Sequence, residues 1–125
     1  MIGSTRHVRV FAYGQPVDMR KGFEGLSALV RQAFRRDLLS GDLFLFVNGE
    51  RKRAKVLHWD GTGLCLYAKR LEKRGRFACL WRSEGAATVE LTMTELSLYL
   101  EGSELVGRVA LSPSPLAAEE LVSRI

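Results

Sequence analysis

The stretch Leu43-Phe-Leu-Phe-Val47, Asn48-Gly49, Ala54-Lys-Val-Leu-His-Trp59, Asp60-Gly-Thr-Gly63 and Leu64-Cys-Leu-Tyr-Ala68 decides the fold. Its first segment is a short continuous apolar run, the pattern of a buried strand. Asn48-Gly49 is a strong hairpin signal because both residues tolerate positive φ. The next segment is then its partner strand, and Asp60–Gly63 turns the chain into a third. The connection Lys69 to Arg76 leads to Phe77-Ala-Cys-Leu-Trp81, which reads as a fourth strand. Successive antiparallel connections of this kind make a meander.

Outward from the meander, Val8-Arg-Val-Phe-Ala-Tyr13 alternates as a short strand and Gly14-Gln-Pro16 breaks it. Phe23, Leu26, Leu29, Val30, Ala33 and Phe34 then fall on one helical stripe, which predicts a helix over 20–36. Asp18 precedes it, where a carboxylate can accept the unpaired backbone N–H groups of the first turn. Gly22 and Gly25 weaken that first turn and permit close approach of another backbone. Further on, Ala87-Thr-Val-Glu-Leu91 reads as an edge strand. Thr92-Met-Thr-Glu95 has capping-box spacing ahead of Leu96, Leu98, Tyr99 and Leu100, with Gly102 as the stop. Ser112-Pro-Ser-Pro115 looks like a linker, and Leu116 to Ile125 is either a final helix or a loosely attached tail. The expected architecture is therefore α+β. An antiparallel four- to five-stranded meander sheet packs against one main helix, with short C-terminal helices. Residues 1–102 form a single domain and 103–125 a C-terminal extension.

Composition excludes several classes. The 125 residues are 46% hydrophobic and 26% charged, close to the soluble average. A chain of this length buries roughly two-thirds of its unfolded surface and needs no disulfide or metal to hold a core. No apolar run reaches the ~18 residues of a membrane span, and no signal peptide opens the chain. Cys65 and Cys79 lie in apolar segments, read as two buried thiols in a reducing cytoplasm.

The net charge of +5 is unevenly spread. Residues 1–82 carry seventeen basic and seven acidic side chains, a net of +10, and residues 83–125 carry two and seven, a net of −5. Residues 51–76 alone hold nine basic and two acidic side chains: Arg51, Lys52, Arg53, Lys55, Lys69, Arg70, Lys73, Arg74 and Arg76 against Asp60 and Glu72. In a meander the loop after Leu43–Val47 and the loop after Leu64–Ala68 lie at the same sheet end, so the two basic groups meet there. Such groups neutralise phosphates, giving affinity that is salt-dependent and largely sequence-blind. Trp59 or Tyr67 would add stacking if the nucleic acid is locally unpaired. The bland alternative is an ordinary solvated face.

Asp18, Met19, Arg20, Lys21 and Gly22 form a second cluster, either a partner-binding corner or a cap and ion pair that fix the helix entry. Asp18, Asp37, Asp42, Asp60 and Glu72 are the carboxylates a metal-dependent nuclease would need, but no pair has a compact helical spacing. His7 and His58 belong to no metal-ligand pattern. The glycines of Gly61-Thr-Gly63 lack the strand–loop–helix context of a phosphate cradle. No catalytic constellation is visible, no metal site, and no cofactor is called for.

Four strings in order carry a family resemblance: Pro16-Val-Asp-Met-Arg-Lys-Gly-Phe-Glu-Gly-Leu26; Leu43-Phe-Leu-Phe-Val-Asn48; Lys55-Val-Leu-His-Trp-Asp-Gly61; and Lys69-Arg-Leu-Glu72 with Gly75-Arg-Phe77. Over about Val8 to Gly102 the chain resembles the TnpB accessory proteins of bacterial insertion sequences of the sixty-six type, which are distinct from the RNA-guided nuclease sharing that name. The resemblance implies an accessory protein encoded beside a separate DDE-type transposase and needed for efficient transposition. Expected partners are DNA at the element ends and that transposase, with no membrane. The family supplies no accepted catalytic residues. The matching positions that become candidates are Asp18 to Gly22, then Lys55, Trp59 and Asp60, then Lys69, Arg70 and Arg76. Gly49-Glu50 departs from the pattern, where the family usually continues with more arginines. The expected role is a non-catalytic DNA-binding or complex-assembly factor. The alternative is an adaptor that docks on the transposase without touching DNA.

Overall fold

The computed structural model describes residues 8–81 and 88–102. Five strands form one sheet: β1 Val10–Tyr13, β2 Leu43–Val47, β3 Arg53–Trp59, β4 Leu64–Arg70 and β5 Thr88–Leu91, in the order β4-β3-β2-β1-β5. Helix α1 spans Phe23–Leu29 and continues as a π-helical turn over Val30–Phe34. Helix α2 spans Met93–Leu100. The fold is α+β as expected, but the sheet is mixed. β1 runs parallel to β2, while the other neighbours are antiparallel. A parallel neighbour requires a crossover, and the helical segment between β1 and β2 supplies it.

The meander stops at β4. Phe77–Trp81 joins no strand of the sheet, because β4 and β5 occupy opposite edges and the chain must cross a sheet face to connect them. The crossing segment serves as packing. Phe77, Ala78 and Leu80 are buried with Val10, Ala12, Leu45, Val47, Ala54 and Val56 of the sheet and with Leu96 and Tyr99 of α2. The Tyr99 hydroxyl donates to the Ala78 carbonyl at 2.6 Å, and its ring stacks on Phe77 at 5.4 Å. Cys79 alternates outward and is exposed, not buried as its apolar setting predicts.

The other face carries Phe11, Phe44, Phe46 and Leu57 against Leu26, Val30 and Phe34. Phe34 meets Phe44 and Phe46 edge-on at 5.1 and 5.7 Å, a preferred aromatic geometry. β2 is thus covered on both sides, which is why it reads as an unbroken apolar run. The main helix is shorter than its stripe. Its α-helical part starts after Gly22, and Arg35, in the left-handed region at φ 53°, ends the π-turn.

Asn48-Gly49 does not close a two-residue hairpin. The loop runs Asn48–Lys52, and its positive φ falls on Arg51 at 60°. The Asn48 side-chain oxygen accepts the N–H groups of Lys52 and Arg53 at 3.0 and 3.1 Å, so the asparagine organises the loop from its side chain. Asp60–Gly63 turns as expected, with Gly61 at φ 106°. The capping box of α2 is complete: Thr92 Oγ1 accepts from Glu95 N at 3.0 Å and Glu95 Oε1 from Thr92 N at 2.7 Å. β5 is an edge strand, and Gly102 follows α2 at φ 86°. His7, the linker at Ser112–Pro115 and the segment 116–125 lie outside the described residues. Among the described residues no helix is long and apolar enough to cross a membrane.

Candidate nucleic-acid interface

The β3–β4 ladder pairs Arg53 with Arg70 and Ala54 with Lys69, so the start of β3 and the end of β4 share one sheet end. The loops flanking them are tied together there. Leu71 N donates to Lys52 O at 2.8 Å, and Phe77 N donates to Arg51 O at 2.6 Å. The Lys52 ammonium donates to the carbonyls of Lys73 and Gly75 at 2.7 and 3.0 Å. The two basic runs, distant in sequence, therefore form one surface. Exposed at this end are Arg53, Arg70, Lys73, Arg74 and Arg76, accompanied by the exposed carboxylates Glu50 and Glu72. Glu72 holds the Nε side of Arg70 at 3.0 Å.

Three of the basic candidates are held in place by backbone carbonyls, which fix their position and leave their charge. Lys52 is engaged by carbonyls. Arg51 is half-buried and turns a guanidinium nitrogen to Phe77 O at 3.4 Å. The Lys55 ammonium donates to Met19 O at 2.8 Å and Lys21 O at 2.9 Å. These bonds clasp the Asp18–Gly22 corner onto the sheet, so Lys55 works first as a positioning residue. Away from this end, Arg9 pairs with Glu90 at 2.8 Å, and Arg36 covers the Phe11 ring at 3.9 Å. Arg9 is thus engaged in an exposed ion pair and Arg36 in packing.

The two aromatic candidates do not sit together. Tyr67 pairs with Val56 and shares the face of Lys69, whereas Trp59 lies on the opposite face beside the Asp60 turn. Six residues of strand separate Trp59 from Arg53, about 20 Å at the usual rise, so Trp59 is remote from the basic end. Tyr67 is 51% exposed and stands two residues from Lys69.

Asp18 is no helix cap. It accepts Arg20 N at 2.9 Å and grips the Arg20 guanidinium at 2.7 Å, and these bonds to Arg20 hold its pKa down at about 2. Gly22 takes the cap position without a side-chain bond. Asp60 Oδ1 accepts from Thr62 N, Thr62 Oγ1 and Gly63 N at 2.9 to 3.0 Å. With these backbone and hydroxyl donors its carboxyl stays far below the usual range. The Cys65 thiol also donates to Asp60, and partial burial pushes that thiol upward. Asp37 accepts from Leu39 N, and the buried Asp42 from Arg9 N. Among the described residues no three His, Cys, Asp or Glu side chains gather as metal ligands.

Beside the basic end, a cleft of about 480 Å³ is lined by Met19, Lys55, Ala68 and Glu72 together with Arg53 and Arg70. The order of turns in the sequence already brings these basic residues to one sheet end. What sequence reasoning missed was Met19 and Ala68 as the apolar lining between them, which only the cross-strand register brings into view.

The family model described as IS66 Orf2 like protein matches residues 8–109. Two proteins of Sinorhizobium fredii (strain NBRC 101917 / NGR234) are similar. "Uncharacterized protein y4jC" is 38% identical over 102 residues, covering 82% of this chain and 85% of its own. "Uncharacterized protein y4hO" is 36% identical over 102 residues, covering 82% and 86%. No solved structure matches the chain. The matched span contains every described strand and helix, and with it the basic end and the Asp18–Gly22 corner; the chain belongs to the IS66 Orf2-like family of insertion-sequence accessory proteins.

Proposed function

We propose that this protein serves transposition by holding the DNA of the element through its phosphate backbone and leaves the chemistry to a DDE-type transposase. The observation that carries this reading is the meeting of two basic loops at one sheet end, fixed by Lys52 through the carbonyls of Lys73 and Gly75. Charges so arranged release counterions from DNA and bind with little regard to sequence. Exposed Arg53, Arg74 and Arg76 carry most of the contact, with Lys69, Arg70 and Lys73 alongside. Tyr67, exposed on the face of Lys69, is the aromatic side chain that would stack on an unpaired base passing that face. Replacing Arg53, Arg74 and Arg76 together by alanine should weaken binding to duplex DNA at low salt and reduce the slope of log affinity against log salt by about 2 to 3. Fluorescence anisotropy across a salt series measures both, and unchanged binding by the folded triple variant would remove the reading.

A second reading is favoured by the Lys55 clasp. It holds the corner Asp18–Gly22 rigidly while Asp18, Arg20, Lys21 and Gly22 stay exposed, as a docking site for the transposase requires. Pull-down of purified transposase that survives nuclease treatment and is lost in Arg20→Ala/Lys21→Ala supports an adaptor role. Loss of the pull-down on nuclease treatment returns the contact to DNA.

A further inference from the structure

Arg53 and Arg70 stand directly opposite each other in the β3–β4 ladder, so both side chains leave the same face. Opposed residues in an antiparallel pair have Cβ atoms about 4.5–5.5 Å apart, and like charges placed so destabilise the ladder. Both arginines are exposed. Among the described residues Arg53 has no ion-pair partner, and Arg70 gives only its Nε side to Glu72. The next pair on that face is Lys55 with Ala68. The short Ala68 side chain leaves open the space in front of the arginines, and the Lys55 ammonium lies behind it against the carbonyls of Met19 and Lys21. Arg53, Arg70, Lys55, Ala68 and Met19 line the 480 Å³ cleft, with Glu72, paired to Arg70, on its wall. Two planar guanidinium forks facing one recess suit a tetrahedral oxyanion, which each can bind through paired N–H donors.

We propose that Arg53 and Arg70 form a clamp for a single phosphate of a nucleic-acid backbone, with Lys55 closing the inner end of the seat. The clamp rests on the DNA-binding reading above and sharpens it. One phosphate is held in a fixed position by the sheet, and the loop residues Arg74 and Arg76 contact others diffusely. The repulsion between Arg53 and Arg70 is then offset only when the anion is bound, so the seat is less stable empty than occupied.

The test uses the full chain and the variants Arg53→Gln, Arg70→Gln, their double variant, and Arg74→Gln/Arg76→Gln. Duplex binding is followed by anisotropy across a salt series. One shared phosphate predicts that the Arg53/Arg70 double variant lowers the slope of log affinity against log salt by about 0.9. Two separate phosphates would lower it by about 1.8 and overturn the clamp. An unchanged slope in that double variant, with a reduced slope in Arg74→Gln/Arg76→Gln, overturns the clamp alone and leaves the DNA reading standing. Absence of salt-dependent binding by the unaltered protein overturns both. Thermal unfolding at low salt gives a second readout: Arg53→Gln should raise Tm by about 1–5 °C without nucleic acid, and a lowered Tm counts against the clamp. Inorganic phosphate is the last probe. Protection of the unaltered protein at micromolar phosphate would assign the seat to free phosphate and overturn the backbone assignment. Protection only at millimolar phosphate, lost in the double variant, supports it.

Discussion

At the scale of single residues, acidic side chains that look like candidates for chemistry turn out to hold backbone in place. Asp60 collects the N–H groups of Thr62 and Gly63, and Asp18 collects that of Arg20 with its guanidinium. Both carboxyls lie below their ordinary pKa, Asp18 at about 2. A pKa depressed in the folded state means stability fully present above the unfolded value of about 3.9 and lost as pH falls through the folded one. The melting temperature should therefore drop as pH is lowered from 5 to 2. The drop should be shallower in Asp60→Asn and in Asp18→Asn, read by circular dichroism across that range. His58 presents the opposite case. Among the described residues its buried Nδ1 has no hydrogen-bond partner, and it stands beside Leu43, Val56 and Leu100 in an apolar groove. A buried unpaired polar atom costs about 1–3 kcal/mol, so His58→Leu should stabilise the protein by about 1 kcal/mol in urea unfolding. Destabilisation by that change would show that the imidazole has a partner in solution.

At the scale of elements, α2 and the crossing segment Phe77–Leu80 depend on each other. The segment forms no ladder, so its carbonyls need other donors. The Tyr99 hydroxyl provides one to Ala78. Burial pushes this phenol well above its usual range, which keeps it protonated as a donor. Tyr99→Phe leaves the carbonyl unpaired and should cost about 1–2 kcal/mol. Thr92→Ala should cost about 1 kcal/mol by breaking the capping box. Chemical denaturation checks both, and backbone hydrogen exchange should show Phe77–Leu80 opening first in the tyrosine variant. The capping box, the strands β2 to β4 and the Asp60 turn were legible because each rests on neighbouring residues. The length of α1 was not. Phe23 to Phe34 share a stripe, but packing of Phe34 between Phe44 and Phe46 coincides with a π-turn where periodicity alone predicts regular helix.

At the scale of the whole molecule, the two faces of one sheet carry separate cores joined through β2. Phe44 belongs to the face under α1 and Leu45 to the face under α2. Phe44→Ala should cost about 3–5 kcal/mol and Leu45→Ala about 2–5 kcal/mol. Both should preserve a single cooperative transition, since the sheet transmits the loss to both layers; two transitions in calorimetry would show that the layers unfold separately. The basic loops are likewise a property of the whole. They approach because the hairpin β3–β4 returns the chain to the end it left, a consequence readable from the order of turns alone.

The sequence by itself determined the α+β class, the three-stranded core of the meander, the capped second helix, and the convergence of charge on one end of the sheet. Those features follow from periodicity, turn chemistry and loop order, which are local. Only the tertiary structure decided that β1 lies parallel to β2, that Phe77–Leu80 covers a face instead of extending the sheet, and that Trp59 and Tyr67 leave opposite faces. It also decided which cations are held by carbonyls and which stand exposed. These depend on which strand is neighbour to which and on which face each side chain leaves. A chain read one residue after another does not fix either, because strand pairing is settled by burial summed over both layers at once.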